Sequence, residues 1–331
     1  MLSRILIYGE SWQGCHGKLL LDELFIRGYD AKIFDHTNYL PGIINRDLFE
    51  RIKRNLFLSI YSARIQKAFL KEIDTFNPSH IFVCKGLHLN RKTLNKIKKR
   101  KIFIINWNPD DFLNMKNSNN ELIKSISKYD LIISSRPHLF NEYKLLGANN
   151  LLFIDWYFVP TLHKKRGLPI IHNITFVGSW SKKREKFIQS IPLSVRIWGG
   201  GWEKSSNDFK ANNEIMFKIL NQEEMSKVFE QSRFNLNLLT DENRDLSNLR
   251  FFEVPASGGL LLTERNKIAE KYLKEGEECI MFDSVKDLLI KLKSQQDLNT
   301  ISHKGTKKIL ETNNAFADRV DEIINFLNKA C

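Results

Sequence analysis

Along the first half of the chain, short apolar runs alternate with longer stretches whose apolar positions recur at helical spacing. The runs predict strands over residues 4–8, 31–35, 80–84, 101–106, 130–134 and 151–154. The stretches between them predict helices over residues 18–27, 45–76, 91–99 and 137–146. Because strands separated by helices pair in parallel, this pattern predicts an α/β domain with a parallel sheet covered on both faces.

A second alternation of the same kind follows the proline-containing basic connector YFVPTLHKKRGLPIIHN. Strands are predicted over residues 174–177, 195–198, 234–239, 260–263 and 279–282, and helices over 183–191, 223–231 and 249–256, before three closing helices. We therefore expect two doubly wound domains, over residues 1–168 and 169–314, with the closing helix 315–331 packing back on the first. Ligands of such sheets bind outside the carboxyl ends of the strands, so a cleft between the domains is the expected site.

Composition limits the class of protein and the cellular compartment in which we expect it. The 331 residues are 42% hydrophobic, which is typical of a globular protein, and no run of about 18 apolar residues suggests a membrane span. Cys15, Cys84, Cys279 and Cys331 form no C-x-x-C pair and have no zinc-type spacing with the histidines, so neither a disulfide framework nor a structural zinc site is indicated. We expect a cytoplasmic protein.

The net charge of +13 is concentrated in the first half of the chain. Residues 1–168 hold 27 Lys and Arg against 15 Asp and Glu, whereas residues 169–331 hold 24 against 23. Such an asymmetry suggests an anionic partner for the N-terminal half, such as a lipid surface, a phosphorylated acceptor or nucleic acid. The alternative is a solvated surface that only favours solubility.

The stretch GESWQGCHGKLL, residues 9–20, follows the first predicted strand and contains Gly9, Gly14 and Gly17. Its glycines are out of register for a Walker loop, and only Gly14 and Gly17 have the spacing of a dinucleotide fingerprint. What remains is a flexible turn that opens a helix. Such a turn can approach a phosphate or sugar closely, although an ordinary strand-to-helix turn has the same sequence features.

The stretch NLNLLTDENRDLSNLRFFEVPASGGLLLTE, residues 235–264, carries the most chemistry. Arg250 and Glu253 lie one turn apart on a predicted helix that ends at Gly258 and Gly259. A carboxylate can accept hydrogen bonds from two vicinal hydroxyls while amides and cations hold phosphates, which describes a nucleotide ligand. The competing interpretation is a solvated ion pair at helical spacing.

Several motifs together resemble a known family. Residues 250–264 read R-x-F-E-x-x-A-x-G followed by L-T-E, and FVGSW with the basic run 182–184 and IWGGGW precede them. This order resembles the C-terminal signature of GT-B glycosyltransferases, in particular the family 4-like branch typified by spore maturation protein CgeB. The resemblance covers roughly residues 100–330. It implies two Rossmann-like domains facing across a cleft, the first binding an acceptor and the second a nucleotide sugar.

The resemblance also implies roles for particular residues. Glu253 would hold the nucleotide ribose, and Asp245 stands where the family has a first glutamate that reaches the donor sugar. Arg184, with Lys183 or Lys182 as second choice, would face the diphosphate and neutralise the leaving nucleotide. Other donor-site candidates are Arg250, Gly178, Gly258 and Gly259. The opening turn, with Gly14, His16 and Gly17, would touch the diphosphate or the acceptor.

The group that handles the acceptor proton stays open among Asp110, Asp111 and His16. Each also has an interpretation without a catalytic role: Asp110 and Asp111 as a loop cap after Pro109, and His16 as an uninvolved loop histidine. Members of the family 4-like branch are usually retaining, which lets the donor phosphate take the proton, and we favour that outcome. Asp110 and Asp111 lack the D-x-D form of the other large transferase fold, and basic residues can replace a metal cation, so we expect no metal or further cofactor. For the donor we expect a UDP-sugar rather than a GDP-sugar.

Two basic segments, residues 46–73 and 91–101, point to the acceptor. The first interleaves apolar and aromatic residues with Arg and Lys, as a transferase working on a lipid-linked acceptor at an anionic leaflet would require. A core helix with a charged outer face is the alternative. We therefore predict a glycosyltransferase acting on an envelope polysaccharide or lipid-linked acceptor, at the inner face of the membrane. Competing hypotheses are a DNA-base glycosyltransferase and a degenerate transferase that only binds.

Overall fold

The chain folds into two units of parallel sheet and helix. The computed structural model describes residues 4–43, 48–240, 244, 246–294 and 297–330. The first unit contains the residues up to Asp155 together with those from Val320, and the second is Trp156–Arg319. Residues 156–168, which the sequence analysis assigned to the first domain, pack in the second unit, where the Trp156 and Phe158 rings belong to a core cluster with Phe251 and Phe252.

The first unit holds a six-stranded parallel sheet in the order β2-β1-β3-β4-β5-β6. Its strands are β1 (Arg4–Gly9), β2 (Asp30–Asp35), β3 (His80–Cys84), β4 (Phe103–Trp107), β5 (Leu131–Ser134) and β6 (Leu151–Phe153). Its helices are α1 (His16–Ile26), α2 (Leu48–Leu56), α3 (Leu58–Phe76), α4 (Arg91–Lys98), α5 (Asn120–Ser125) and α6 (Phe140–Leu145). Five consecutive residues of β1 are buried, because helices cover both faces of the sheet.

The second unit holds another six-stranded parallel sheet, in the order β12-β11-β10-β7-β8-β9. Its strands are β7 (His172–Val177), β8 (Arg196–Trp198), β9 (Glu214–Ile215), β10 (Ser232–Asn237), β11 (Leu261–Glu264) and β12 (Ile280–Phe282). Its helices are α7 (Lys182–Gln189), α8 (Asn207–Asn212), α9 (Gln222–Glu230), α10 (Arg250–Ala256), α11 (Ala269–Tyr272), α12 (Val285–Lys293) and α13 (Leu298–Glu311). The last helix, α14 (Phe316–Ala330), begins in this unit and belongs to the first unit from Val320 onward. The predicted α/β class with two doubly wound parallel sheets is confirmed.

Strand order fixes where each unit can bind a ligand. In the second sheet, β8 and β9 lie on one side of β7 while β10, β11 and β12 lie on the other, so the order reverses between β7 and β10. In the first sheet the order reverses between β1 and β3. Doubly wound sheets bind ligands at the carboxyl ends of the strands beside this reversal.

The structure departs from the sequence analysis in a few elements. The single helix predicted over residues 45–76 is two helices, α2 and α3, with Phe57 between them in a non-helical conformation; residues 45–47 lie outside the described part. The two-residue strand β9 was not predicted. Among the described residues, no helix is both long and apolar enough to cross a membrane.

Candidate functional site

Arg184 lies at the reversal of strand order in the second unit. Its Nη1 donates to the Ser179 carbonyl at 2.9 Å, just beyond the end of β7. Its Nε and Nη2 donate to the Leu238 carbonyl at 3.2 and 2.8 Å, just beyond the end of β10. The guanidinium therefore joins the two strand ends between which ligands of such sheets bind. The role of Arg184 as the cation that faces a diphosphate stays a prediction.

Lys183 and Lys182 begin the same helix, α7, but have different neighbours. Lys183 Nζ lies 3.7 Å from Glu264 Oε1, and Glu264 ends strand β11 at the carboxyl edge. The other oxygen of Glu264 accepts the Leu239 N–H at 2.7 Å. Lys182 Nζ is instead bonded to Glu185 within the helix, at 3.2 Å. The structure thus places Lys183 at the candidate donor edge and Lys182 on an exposed helix face.

Gly178 follows β7, and its backbone is engaged with the next loop. Its N–H donates to the Trp198 carbonyl and its carbonyl accepts from Trp202 Nε1, each at 2.9 Å. A Cβ at position 178 would lie 2.9 Å from the Phe176 ring. A side chain at position 178 would thus collide with the Phe176 ring. The Gly178 amide is bonded to the Trp198 carbonyl.

Glu253 lies one turn into α10 and is buried, with 1% of its surface exposed. Its Oε2 is ion-paired with Arg250 Nη1, and its Oε1 lies 3.7 Å from His163 Nε2. Arg250 also stacks over the Phe229 ring, and its Nε donates to the Val177 carbonyl at 3.4 Å. The predicted pairing of Arg250 and Glu253 is therefore an interior contact and not a solvated surface pair.

His163, which lies in the connector YFVPTLHKKRGLPIIHN, completes this cluster. Its Nδ1 accepts the Val159 N–H at 3.0 Å, so the neutral ring carries its proton on Nε2, facing Glu253. Burial lowers the pKa of His163, and the Glu253 carboxylate opposes this only in part. A neutral N–H donor thus faces the carboxylate that the resemblance assigns to the ribose.

Gly258 and Gly259 have a structural role that differs from the predicted one. They join the end of α10 to the start of β11, at the amino edge of the sheet. Their N–H groups donate to the Pro255 and Val254 carbonyls at 2.8 and 3.0 Å, which ends the helix. Because these amides are used at the amino edge, they do not serve a ligand at the carboxyl edge. Asp245, the other predicted donor residue of this stretch, lies outside the described residues.

The opening turn of the first unit is a compact hydrogen-bonded loop between β1 and α1. Gly14 has a φ of +82°, which favours glycine. A Cβ at Gly17 would lie 2.7 Å from the Glu10 carbonyl oxygen, so glycine allows the helix to approach the strand. His16 packs edge-on against Trp107 with ring centroids 3.9 Å apart, and burial lowers its pKa to about 3. His16 is therefore a neutral, partly buried ring and is poorly suited to act as a base that cycles its proton near neutral pH.

A charged cluster lies at the carboxyl edge of the first sheet. Lys85, directly after β3, is ion-paired with Asp110 at 2.6 Å. Glu10, directly after β1, has its pKa raised by burial, partly opposed by the Lys85 charge and reinforced by Asp35. Since the strand order of this sheet reverses between β1 and β3, Glu10 and Lys85 flank its expected ligand position.

Asp110 and Asp111 are neighbours in sequence with different surroundings. Asp110 pairs with Lys85 and is partly exposed. Asp111 is buried, and its Oδ1 accepts the Leu113 N–H at 3.0 Å, closing a short turn. Asp111 has the loop-capping geometry, so Asp110 is the better placed of the two for contact with a ligand.

Comparisons with known proteins bear on the family and the fold of this chain. Residues 180–325 match the model of a family described as glycosyl transferase-like. This part of the chain is similar to glycosyltransferase-like domains. A search of curated protein sequences finds no match.

Solved structures extend the likeness to the whole chain. Sucrose-phosphate synthase from Thermosynechococcus elongatus superposes with a TM-score of 0.69 at 10% identity, covering 99% of both chains. HepE from Anabaena, solved with UDP, gives a TM-score of 0.60 at 10% identity over 98% of this chain and all of its own. A trehalose-6-phosphate synthase, studied for glycosyl transfer with retention, gives 0.67 at 12% identity over 99% of both chains.

The predicted GT-B fold and the predicted enzyme class, glycosyltransferase, are confirmed by these comparisons. The narrower branch typified by CgeB stays a prediction. Among the described residues, no group of three or more His, Cys, Asp or Glu side chains is placed to hold a metal ion.

Sequence reasoning missed three residues of this GT-B chain that the structure places beside predicted ones. His163 is 90 positions from Glu253 in sequence and carries no local motif. Lys85 directly follows a predicted strand and Glu10 comes two positions after the end of another, and this similar position was an available signal. Charged residues that directly follow strands of a parallel sheet meet at one edge of it, whatever their separation in sequence.

Proposed function

We propose that this protein transfers a sugar from a UDP-sugar to an envelope polysaccharide or lipid-linked acceptor. The observation that carries the donor site is the Arg184 guanidinium, which joins the ends of β7 and β10 at the reversal of strand order. The UDP in HepE, a protein of similar fold, supports UDP as the nucleotide.

In the proposed mechanism the second unit supplies the groups that act on the donor. Arg184 and Lys183 bind the diphosphate and stabilise the negative charge that develops on the leaving UDP. Glu253 accepts hydrogen bonds from the ribose hydroxyls, with its carboxylate oriented by Arg250 and His163. Two cations are enough to balance a diphosphate, which is why we propose metal-independent transfer.

Transfer with retention fits the groups on the first unit. His16 is neutral and partly buried, Asp110 is ion-paired with Lys85, and Asp111 closes a turn, so none of the three is arranged as a strong general base. A retaining reaction needs no such base, because the departing phosphate can take the acceptor proton. The retention studied in trehalose-6-phosphate synthase, a protein of similar fold, supports this choice.

Calorimetric titration with UDP tests the donor site. We expect micromolar binding that Arg184→Ala weakens at least about tenfold and Lys183→Ala weakens severalfold, since each removes a charge-assisted contact to phosphate. Lys182→Ala is the matched control, because Lys182 is adjacent in sequence but bonds to Glu185.

Equal affinity in the Lys182 and Lys183 variants, with Arg184→Ala also unaffected, would contradict the placement of the diphosphate. A folded wild-type protein that binds no UDP would reject the UDP-sugar donor. It would favour the degenerate binding module or, if DNA binds in a salt-sensitive way, the nucleic-acid hypothesis.

For the acceptor, we propose that α2 and the start of α3 bind an anionic membrane surface. Large apolar side chains on these helices are exposed, among them Phe49, Ile52, Leu56 and Ile60. The basic residues Arg51, Lys53 and Arg54 are interleaved with them. Apolar side chains that enter the interface and cations that attract anionic headgroups are the two contributions such binding needs. Residues 46 and 47 of the predicted segment lie outside the described part.

Vesicle co-sedimentation tests this surface. We expect binding to phosphatidylglycerol vesicles but not to phosphatidylcholine vesicles, and we expect the double substitution Phe49→Ser with Leu56→Ser to reduce it about tenfold. Leu145→Ser, which removes an even more exposed leucine from another helix of the same unit, is the control and should bind normally. Equal binding to both vesicle types, or no effect of the double substitution, would reject the proposal.

A further inference from the structure

A cavity of about 550 Å³ lies at the carboxyl edge of the first sheet. It is bounded by the first half of α3 and by the loops that follow β3 and β4. All of these elements belong to the first unit. The volume is within the range of about 300–1,000 Å³ that small-molecule sites occupy.

Hydrogen bonds between its walls hold this cavity in shape. Asn119, the N-cap of α5, donates from Nδ2 to the Leu87 carbonyl at 2.7 Å, which joins the loop after β4 to the loop after β3. Ser62 Oγ lies 3.3 Å from His88 Nδ1, which joins α3 to the loop after β3. Because each wall is bonded to a neighbouring wall, a ligand has little of the protein to order when it binds.

Most of the surface that faces the cavity is apolar. Leu58 and Met115 lie at its mouth, with 41% and 55% of their surfaces exposed, whereas Leu89 is only 1% exposed. Leu87 adds another aliphatic side chain. Such walls favour a hydrocarbon ligand, because contact with it removes apolar surface from water.

Little charge faces this cavity, although the first half of the chain is basic. Of the described residues that line it, only Glu121 carries a charge at neutral pH, since burial lowers the pKa of His88 to about 4. The amide oxygens of Asn90 and Gln66 are already bonded, to the N–H and the hydroxyl of Thr93. A nucleotide or a free phosphate would find no cation in the described lining.

The mouth of the cavity is continuous with the proposed membrane surface. Leu58 belongs to the start of α3, which is part of that surface, and it also lines the cavity. Phe57 and Ile60 beside it are exposed as well. On the inner side, Leu87 is two residues beyond Lys85, at the expected ligand position of the first sheet. A chain in the cavity would thus run from the membrane toward that position.

We propose that this cavity binds the hydrocarbon chain of a lipid-linked acceptor, an isoprenoid or acyl chain next to the headgroup that receives the sugar. The use of the site rests on the proposed function, and it narrows the acceptor from a polysaccharide or a lipid-linked glycan to a lipid-linked one. Binding of the chain itself is independent of the donor groups, because Arg184 and Lys183 belong to the second unit.

Saturation-transfer NMR on the full chain tests the site, with geranyl phosphate and octyl glucoside below its micelle concentration as probes. We expect at least one of them to bind at millimolar concentration or below, and glucose, the headgroup control, not to bind. Met115→Asp puts a charge at the mouth and Ser59→Trp a bulky ring at an exposed lining position, so each should weaken binding at least about tenfold.

Each of these variants has a matched control. Met216→Asp changes an exposed methionine of the second unit. Ala63→Trp lies one turn further along α3, at an exposed position outside the lining. The double substitution Phe49→Ser with Leu56→Ser should also keep probe binding while it lowers vesicle binding, because neither side chain lines the cavity.

Titrating the same samples with UDP separates this inference from the proposed function. Probe binding that both cavity variants weaken and all controls keep supports the cavity, whether or not UDP binds. The inference is overturned, with the donor site unaffected, if the folded protein binds neither probe or if Met115→Asp or Ser59→Trp binds them as the wild type does. Loss of probe binding in a control variant, or binding of glucose as tight as that of octyl glucoside, would also overturn it.

Discussion

Glu253→Ala is expected to lower the free energy of unfolding by about 3 kcal/mol and to abolish UDP binding at micromolar concentrations. The substitution leaves the partly buried Arg250 guanidinium without its buried carboxylate partner, and breaking a largely buried pair in this way costs about 3 kcal/mol. It also removes the acceptor for the ribose hydroxyls. Urea unfolding and calorimetric titration with UDP measure the two effects separately.

Two glutamine variants separate the role in binding from the role in stability. Glu253→Gln keeps the volume of the side chain and one acceptor oxygen, so we expect a smaller loss of stability but at least a tenfold loss of UDP affinity. Glu230→Gln changes another buried glutamate of the same unit, at the opposite edge of the sheet, and should leave UDP affinity unchanged. Wild-type UDP affinity in folded Glu253→Ala would show that Glu253 does not hold the ribose.

Gly199→Ala is expected to cost about 4 kcal/mol and to weaken UDP binding as well. Gly199 has a φ of +142°, and a Cβ there would lie 2.0 Å from the Gly178 carbonyl oxygen, so backbone must move to admit it. Overpacking and a left-handed backbone conformation each cost roughly 1–3 kcal/mol. The displaced loop continues into Ser179, whose carbonyl anchors Arg184, and this is why donor binding should suffer.

Gly276→Ala is the matched control for this prediction. Gly276 lies in the same unit with a φ of +72°, and a Cβ there would meet nothing within 4 Å. It should cost only the backbone strain, about 1 kcal/mol, and leave UDP binding intact. Thermal unfolding of both variants measures the difference, and equal losses would mean that the contact with Gly178 does not control the loop.

Local pattern was enough to predict most of the regular structure. Residues 80–84 were predicted as a strand, and β3 is His80–Cys84, because apolar β-branched runs between polar turns have few alternatives in an α/β chain. The single long helix over 45–76 was wrong because an amphipathic pattern can continue through a break such as the one at Phe57. Apolar periodicity reports a buried face and carries little information on a one-residue interruption.

The candidate site was only partly predictable. Arg184 and Glu253 could be selected because motifs around them resemble a family, and the structure places Arg184 at the reversal of strand order. The amides of Gly258 and Gly259 were expected near the donor, yet the helix end uses them. A glycine pair in sequence does not reveal which carbonyls its amides will meet, since those partners depend on how the helix ends.

The sequence by itself determined the α/β class, the two sheets, the enzyme class and the basic character of the first half. These features follow from periodicity, composition and motifs, each of which is local along the chain. Tertiary structure decided that Glu253 is buried, with Arg250 and His163 against its carboxylate, and that Glu10 and Lys85 flank one end of a sheet. It also decided that α3 and the loops after β3 and β4 bound a cavity at the carboxyl edge. The physical reason is that strand order brings together residues distant in sequence, and burial then sets their charge and hydrogen bonding.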